Sequence, residues 1–342
     1  MPAAKGQEGP MIIDGLQYNK PNRERFLEWQ AGGVGCVHVT IAIWEDARTT
    51  LSAIGEWNRL FEADADLVEL AKNGDDIDRI CASGRTAVIY GFQDTSPIED
   101  DLELVEIFHT LGVRIIQLTY NVQNRVAAGC WEEDDRGVSK FFGVNVIREM
   151  NKLGMVIDLS HCNEQTCLDT VEHSSRPVTI THGNPAEFVG QEIELKRRNR
   201  SLATIKRITE AGGMIGLSFY PKIMRDGSNC TLETFTELVA WSAERLGVDA
   251  IAIGTDYYTG WPESKVEWFR TGRWSRESAI PLKSLSPWPT WFQNPSDFPN
   301  ILEGLSQRGF SDEEVAKIVG GNWLKFFREG FSPEGAYKTG FS

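Results

Sequence analysis

Apolar runs rich in valine and isoleucine recur along the chain, and a segment with helix-like features follows each of them. Eight such runs cover residues 11–16, 34–43, 86–92, 113–120, 155–161, 178–182, 213–220 and 249–256. The runs are continuously apolar, which is typical of parallel strands that are buried on both faces; a sheet exposed on one face would alternate apolar and polar residues. The pattern therefore predicts an α/β fold, specifically a (β/α)8 TIM barrel.

Helix start and stop signals lie between the predicted strands. Ser139 precedes an apolar-periodic stretch that closes at Gly154, and Ser201 precedes one that closes at Gly212. Thr231 begins a third stretch, which ends at a glycine as well. Serine and threonine favour the start of a helix and glycine favours its end. These connections are long enough for the crossovers that parallel strands require.

Most of the predicted strands end in a polar residue. In a barrel of this kind the chemistry lies at the carboxyl ends of the strands. The candidates are Gln17, Tyr18, Gln93, Tyr120, His161, His182, Tyr220 and Asp256. His161 and His182 close consecutive strands, which lie about 4.8 Å apart, so the two imidazoles can share one metal ion. Because the barrel closes, Asp256 faces the same mouth, and three titratable groups at one rim favour a functional site.

The composition bounds the domain organisation and the partners. A chain of 342 residues with 41% hydrophobic residues suits one barrel domain over residues 1–342. The formal net charge of −14 disfavours binding to nucleic acid or to an anionic membrane, so we expect a small-molecule substrate. The chain shows no signal-like segment and no apolar run near the roughly 20 residues that span a bilayer, which predicts a cytoplasmic protein.

A tryptophan- and proline-rich insertion is predicted at residues 257–299. Its tryptophans are Trp261, Trp268, Trp274, Trp288 and Trp291. The segment is too irregular for one helix and too apolar for a free loop, so the rings must be buried. Two interpretations stay open: a lid over the barrel mouth, or a subunit interface in a homodimer or larger homo-oligomer.

A basic cluster, KRRNR, occupies residues 196–200 ahead of the helix that begins near Ser201. An arginine there can bind a substrate carboxylate with two parallel N–H groups. A bare run of charge is equally typical of a solvated surface. The residues alone leave the two interpretations even.

Several blocks of the sequence resemble the membrane (renal) dipeptidases, which are zinc-dependent enzymes of the amidohydrolase-like barrel group. The resemblance covers nearly the whole chain in order and spacing. It rests on the DG after the first strand and on GVRIIQLTYNVQN, FFGVNVIREMNKLGMVIDLSHCN, RPVTITHGNP, RRN, IGTD and SDEEVAKIVGGNWLKFF. It implies a metal-dependent hydrolase-like barrel.

The resemblance assigns roles to individual positions. His161 and His182 match the family's two histidines for its second metal, and Arg198 matches the arginine that binds the substrate carboxylate. Asp256 matches the aspartate that helps to activate the attacking water. Tyr120 aligns with a histidine that stabilises the tetrahedral intermediate, and its hydroxyl can still donate a hydrogen bond.

The sequence departs from the family pattern at the first metal. Family members end the first strand with His-x-Asp, whereas Leu16 and Tyr18 stand at those two positions. The family's bridging glutamate is matched by Gln93, whose neutral amide is a poor bridge between two dications. A binuclear site is therefore not expected.

The leading hypothesis is a dipeptidase-like hydrolase that cleaves an amide or related C–N bond in a small, carboxylate-bearing substrate. We expect it to use at most one divalent metal, zinc being the first choice, on His161 and His182. Asp256 would act as the general base.

The remaining candidates are assigned to the substrate. Arg198, Tyr220 and Asn121 are expected to bind it, and Tyr120 with Gln93 to position the reacting group.

Two alternatives stay open. One is a metal-free enzyme with lyase-like or other non-peptide chemistry on the same barrel, since two histidines on adjacent strands also suit a proton relay. The other is a non-catalytic binding protein that keeps the fold. Fold analogy alone does not separate these possibilities.

Overall fold

Parallel strands form the centre of the molecule, and helices pack around them. The computed structural model describes residues 9–133, 135–190, 192–272 and 286–333. The strands of these residues are β1 (Ile12–Asn19), β2 (Val34–Ala42), β3 (Val68–Leu70), β4 (Thr86–Phe92), β5 (Val113–Gln117), β6 (Val156–Asp158), β7 (Thr179–Gly183), β8 (Met214–Leu217), β9 (Ile251–Ile253) and β10 (Tyr257–Thr259).

Helices follow most of the strands. They are α1 (Arg23–Ala31), α2 (Ala47–Ala63), α3 (Gly74–Ala82), α4 (Glu103–Thr110), α5 (Phe142–Leu153), α6 (Glu164–His173), α7 (Ala186–Val189), α8 (Ile193–Arg198), α9 (Leu202–Glu210), α10 (Leu232–Leu246), α11 (Glu263–Thr271), α12 (Phe298–Arg308), α13 (Asp312–Ala316) and α14 (Asn322–Gly330). The predicted caps of α9 and α10 are confirmed, because Ser201 and Thr231 accept hydrogen bonds from Thr204 N and Thr234 N. The third predicted start, Ser139, accepts from Gly143 N at the first turn of α5.

The strands close into a barrel, which confirms the predicted fold class. Their order is β10-β1-β2-β4-β5-β6-β7-β8-β9, and every pairing is parallel. β9 pairs with β8, and β10 pairs with β1, so the two short strands are the halves of an eighth barrel strand. Residues 254–256 separate the halves, and Asp256 N donates to Leu16 O at the closure.

The sequence missed two strands, β3 and β10. Each has only three residues, which is too short to show a periodic pattern. β3 pairs with the first half of β4, whereas β5 pairs with its second half. The short strand thus adds to the barrel wall without changing its closure.

The C-terminal segment packs against the end of the barrel opposite the mouth. Gly320 lies against Met11 O, just before β1, where a Cβ atom would come within 2.0 Å of the carbonyl oxygen. Trp323 of α14 is fully buried, and its Nε1 donates to Ile253 O (2.8 Å). With the other end filled in this way, the carboxyl ends of the strands are left to form the site.

The described part of the predicted insertion packs back onto the barrel. Trp261 lies beside Tyr18, with ring centroids 5.1 Å apart. Trp288 contacts Tyr257 at 4.9 Å, and Trp291 Nε1 donates to a backbone carbonyl (2.8 Å). Trp274, also counted in the insertion, lies outside the described residues. No helix in the described part of the chain is long and apolar enough to cross a membrane.

Candidate active site

A cavity opens at the carboxyl ends of the barrel strands. Its lining residues are Tyr18, Gln93, Tyr120, His161, Arg198, Tyr220, Asp256, Tyr258, Val266 and Phe269. The structure thus brings together most of the residues that the sequence singled out. The sequence missed Tyr258, Val266 and Phe269, although all three lie in the aromatic segment that it marked as a lid or an interface.

His161, in the cavity lining, faces His182, which lies behind it. Their Nε2 atoms are 3.1 Å apart, and both side chains are buried. The ring of Tyr120 stacks on His161, with centroids 4.2 Å apart. The predicted convergence of two imidazoles from consecutive barrel strands is therefore observed.

The hydrogen bonds of these two rings define their tautomers. His161 Nδ1 donates to Asn121 Oδ1 (2.6 Å). Thr181 Oγ1 gives its single proton to Asp158 Oδ2 (2.6 Å), so it accepts from His182 Nδ1 (2.9 Å). In each neutral ring the Nε2 atom is then unprotonated, and the two lone pairs point toward each other.

A third group, the guanidinium of Arg198, lies beside the imidazole pair. Its Nη2 donates to His161 Nε2 (2.8 Å) and lies 3.7 Å from Asp256 Oδ2. The side chain is 9% exposed. Burial, together with the positive charge of Arg198, holds the pKa of both histidines well below the usual value, so both rings are neutral.

The residues present do not fit a zinc ion. No group of three or more His, Cys, Asp or Glu side chains lies close enough to bind a metal among the described residues. Gln93 turns its amide nitrogen toward Thr40 Oγ1 (2.8 Å), and Leu16 is fully buried in the apolar core. Arg198 stands where an ion bound to His161 Nε2 would lie, since zinc bonds nitrogen at about 2.0–2.1 Å.

Asp256 is the acidic residue of the described cavity lining. Its Oδ1 lies 3.9 Å from His182 Nε2, and the side chain is 14% exposed. Burial, with smaller contributions from the carboxylates of Asp14 and Asp158, raises the pKa of Asp256 to about 7, although Arg198 opposes the shift. A carboxyl with a pKa near neutrality suits proton transfer.

Backbone strain is concentrated at this site. Four described non-glycine residues have positive φ, and three of them are Asn121 (66°), His161 (61°) and Asp256 (57°). The left-handed region is unfavourable for residues other than glycine, and such strain clusters at functional sites. The strain turns the chain at the strand ends, directly where the candidate groups project.

Three buried carboxylates hold the strand ends together, and the sequence did not single them out. Asp158 accepts four hydrogen bonds, from the backbone and hydroxyl groups of Ser160 and Thr181, the residues directly before His161 and His182. Asp14 accepts from Thr255 in the same way, and Asp94 accepts from Tyr120 N (2.8 Å). Each is an aspartate in or just after an apolar strand, which is the one sequence signal that marks them.

Besides His182, two of the predicted site residues lie outside the cavity lining. Gln17 donates to Asp14 Oδ2 (2.7 Å) and accepts from Trp29 Nε1 (2.8 Å), so it joins β1 to α1. Asn121, predicted to bind substrate, accepts from His161 Nδ1. Its carboxamide therefore orients that imidazole.

A closed parallel barrel with histidine, aspartate and arginine side chains at its mouth is the architecture of a barrel hydrolase. The chain belongs to the membrane dipeptidase family (Peptidase family M19), whose model matches residues 18–269. Most of the barrel and all of the described cavity lining lie inside the matched range.

Relatives and solved structures agree with this assignment. The chain is 29% identical over 285 residues to dipeptidase tcpJ of Claviceps purpurea, covering 82% of this chain and 60% of that protein. It thus spans about three fifths of that relative's length. An amidohydrolase from Pseudomonas aeruginosa is 32% identical with a TM-score of 0.88, over 94% of this chain and 97% of that one. A metallo peptidase from Rhodobacter sphaeroides, liganded with a phosphinate mimic of L-Ala-D-Ala, shares the fold at 17% identity and a TM-score of 0.77, over 94% of this chain and 99% of that one.

Proposed function

We propose that the protein hydrolyses an amide or related C–N bond in a small substrate that carries a carboxylate, as a dipeptide does. The single observation that carries the proposal is the meeting of Asp256, Arg198 and Tyr120 in one cavity. A concave site with aromatic walls and a few converging polar groups suits a small ligand. The family assignment and a relative named as a dipeptidase support the same reaction class.

Asp256 acts as the general base in this proposal. It removes a proton from a water molecule, whose oxygen forms a bond to the carbonyl carbon of the substrate. The C–N bond then breaks, and the proton held by Asp256 passes to the leaving nitrogen. The sum of the steps is the addition of one water molecule across the bond.

The other cavity residues bind and orient the substrate. Arg198 keeps further N–H groups beside the one donated to His161, and these bind the substrate carboxylate. The hydroxyl of Tyr120 donates a hydrogen bond to the oxygen on which negative charge develops, while Gln93 and Tyr220 contact the substrate from the cavity wall. Zinc on the two histidines has no part in this scheme because the site does not fit the ion.

The test is an amine-release assay on dipeptides and N-acyl amino acids, with the same compounds amidated at the carboxylate for comparison. We expect cleavage of the free acids and at least roughly tenfold slower cleavage of the amidated compounds. Asp256→Asn should lower kcat by on the order of 10²-fold or more. Asp249→Asn, at an exposed residue (77%), is the matched control and should leave the rate unchanged. Saturable binding without turnover of any compound would contradict the proposal.

A further inference from the structure

We propose that the guanidinium of Arg198 is the resident cation of this site and stands in place of the metal ion that the family resemblance assigns to His161 and His182. The proposal goes beyond the hydrolysis proposed above and does not depend on it. It concerns which positive charge the two imidazoles face.

The two imidazole rings turn their unprotonated Nε2 atoms toward the same point. Asn121 accepts from Nδ1 of His161, and Thr181, itself bound to Asp158, accepts from Nδ1 of His182. Such outer partners are typical of metal-binding histidines, in which they expose an unprotonated Nε2 toward the ion. Two lone pairs only 3.1 Å apart repel each other unless a positive group lies beside them.

The guanidinium of Arg198 lies directly beside the imidazole pair. Its Nη2 lies 2.8 Å from His161 Nε2 and is nearly buried, so the positive charge of its guanidinium sits at the imidazole pair. Arg198 is the last residue of α8, and the next residue, Asn199, anchors this end of the helix by donating to Leu195 O and Ile223 O. The guanidinium is therefore held by the fold, whereas a metal ion can leave.

A metal ion and the guanidinium of Arg198 cannot occupy this site together. A metal ion on His161 Nε2 would lie about 2 Å from that nitrogen, inside the space crossed by the hydrogen bond from Arg198. Two cations at such a short distance in a buried site repel each other strongly. Metal and guanidinium are therefore alternative occupants, and the neutral amide of Gln93, at the position of the family's bridging glutamate, removes an anionic ligand that would favour the metal.

The consequence for the reaction, which does rest on the proposed function, concerns the water. A guanidinium stabilises negative charge through hydrogen bonds, but it does not lower the pKa of a bound water as zinc does. Activation of the water then falls to Asp256. Turnover should be insensitive to chelators.

The test is metal uptake by variants, read without any assay of activity. Wild type, Arg198→Ala, Arg198→Met and the double variant His161→Ala/Arg198→Ala are dialysed against Co²⁺, and bound metal is measured by mass spectrometry and visible absorption. Arg197→Ala, which removes the neighbouring arginine of the same helix, is the matched control. Thermal melting shows that each variant is folded.

We expect wild type and Arg197→Ala to bind far less than one ion per chain. Removal of the guanidinium frees the unprotonated Nε2 atoms of His161 and His182, so Arg198→Ala or Arg198→Met should bind about one Co²⁺ per chain, with water molecules completing its coordination. The double variant should lose that ion. One ion per chain in wild type, lost on His161→Ala, would overturn the proposal, and so would folded Arg198 variants that bind none.

A second measurement needs no variant. Imidazole ¹⁵N spectra of the wild type, recorded while Zn²⁺ is added, should show unchanged Nε2 signals for His161 and His182. A change in these ¹⁵N chemical shifts that is complete at one equivalent of Zn²⁺ would overturn the proposal. Since neither experiment measures turnover, failure of this inference is distinguishable from failure of the proposed hydrolysis.

Discussion

At the scale of single residues, Asp256 carries most of the proposed chemistry. Within the described chain its carboxylate has no side-chain hydrogen bond, and its ion-pair partners are 3.7 Å away on Arg198 and 3.9 Å away on His182. The oxygens are therefore available to a water or a substrate. Its positive φ fixes the direction in which the side chain leaves the closure of the barrel.

The pH dependence of the reaction follows from this carboxyl. Burial raises the pKa of Asp256 to about 7, and the ionised form is the base. We expect kcat/KM to rise with pH and to level off above about pH 7. A pH–rate profile on a substrate with no titrating group in this range tests the expectation. A flat profile, or one that falls through neutrality, would contradict it.

The ionisation of Asp256 should also affect the free energy of unfolding, which should fall with rising pH where activity rises. The pKa of Asp256 is raised in the folded state, so its stabilising contribution is complete below the ordinary value of 3.8 and is lost as pH rises to about 7. The free energy of unfolding of Asp256→Asn, minus that of wild type, should therefore increase with pH and become constant above about 7. Urea denaturation of both proteins across this range measures the difference. A difference that does not change with pH would show that the pKa is not raised.

The residue scale also shows how far the sequence alone could reach. His161, His182 and Asp256 could be predicted because each ends an apolar run. The orientation of Arg198 could not, because a charge run does not show which way each side chain points. The hydrogen bond between Asn121 and His161 could not be predicted for a similar reason: a loop amide looks the same whether it meets a substrate or an imidazole.

At the scale of elements, buried aspartates connect neighbouring strands near the site. Asp158 of β6 joins its own loop to Thr181 of β7, and Asp14 of β1 joins the closure at Thr255. Burial raises the pKa of both carboxyls, while their hydrogen bonds oppose the shift. These contacts fix the relative heights of the strand ends and hence of the groups that follow them.

Removal of one of these carboxylates should be costly. Asp158→Ala leaves the donors at Ser160 and Thr181 without their acceptor, so we expect a loss of about 3 kcal/mol in the free energy of unfolding. Asp66→Ala, which removes an exposed ion pair with Arg23, is the control and should cost far less, because solvent screens such a pair. Chemical denaturation measures both. Equal losses in the two variants would show that Asp158 has no special role in the fold.

Helix boundaries were more predictable than short strands. The caps at Ser201 and Thr231 are local signals, and the structure confirms both helices. β3 and β10 depend on pairing with strands that are distant in sequence, and three residues carry no pattern of their own. β1 also continues beyond its apolar run to Asn19, since pairing with β10 extends it.

At the scale of the whole molecule, the segment after the closing strand covers part of the mouth. Val266 and Phe269 of α11 line the cavity, and Phe269 packs on Tyr18 with ring centroids 4.7 Å apart. We infer that α11 acts as a wall or lid of the site. The alternative prediction, a subunit interface in a homodimer or larger assembly, stays a prediction for the rest of the insertion, as does a single domain over residues 1–342.

Truncation of that wall should weaken substrate binding. Phe269→Ala removes apolar surface from the cavity, so we expect KM to rise roughly tenfold with a smaller change in kcat. Leu27→Ala, at a side chain of α1 that is 49% exposed, is the control and should leave both constants unchanged. Steady-state kinetics on the best dipeptide measures the effect. An unchanged KM for Phe269→Ala would contradict the assignment of α11 to the site.

The barrel itself was predictable because eight buried parallel strands give eight unbroken apolar runs. The group that lies beside the two imidazoles could not be predicted, because its position depends on contacts between residues from separate elements. The cytoplasmic location and the absence of nucleic-acid or membrane partners stay predictions of the sequence.

The central claim is that this barrel hydrolyses its substrate with an arginine, and not a metal ion, at the histidine pair. The most direct test is the turnover of a carboxylate-bearing amide by protein treated with a chelator, with metal content measured on the same sample. The account predicts full turnover at a metal content far below one ion per chain. Turnover that disappears with the metal, and returns when one equivalent of zinc is added, would contradict it.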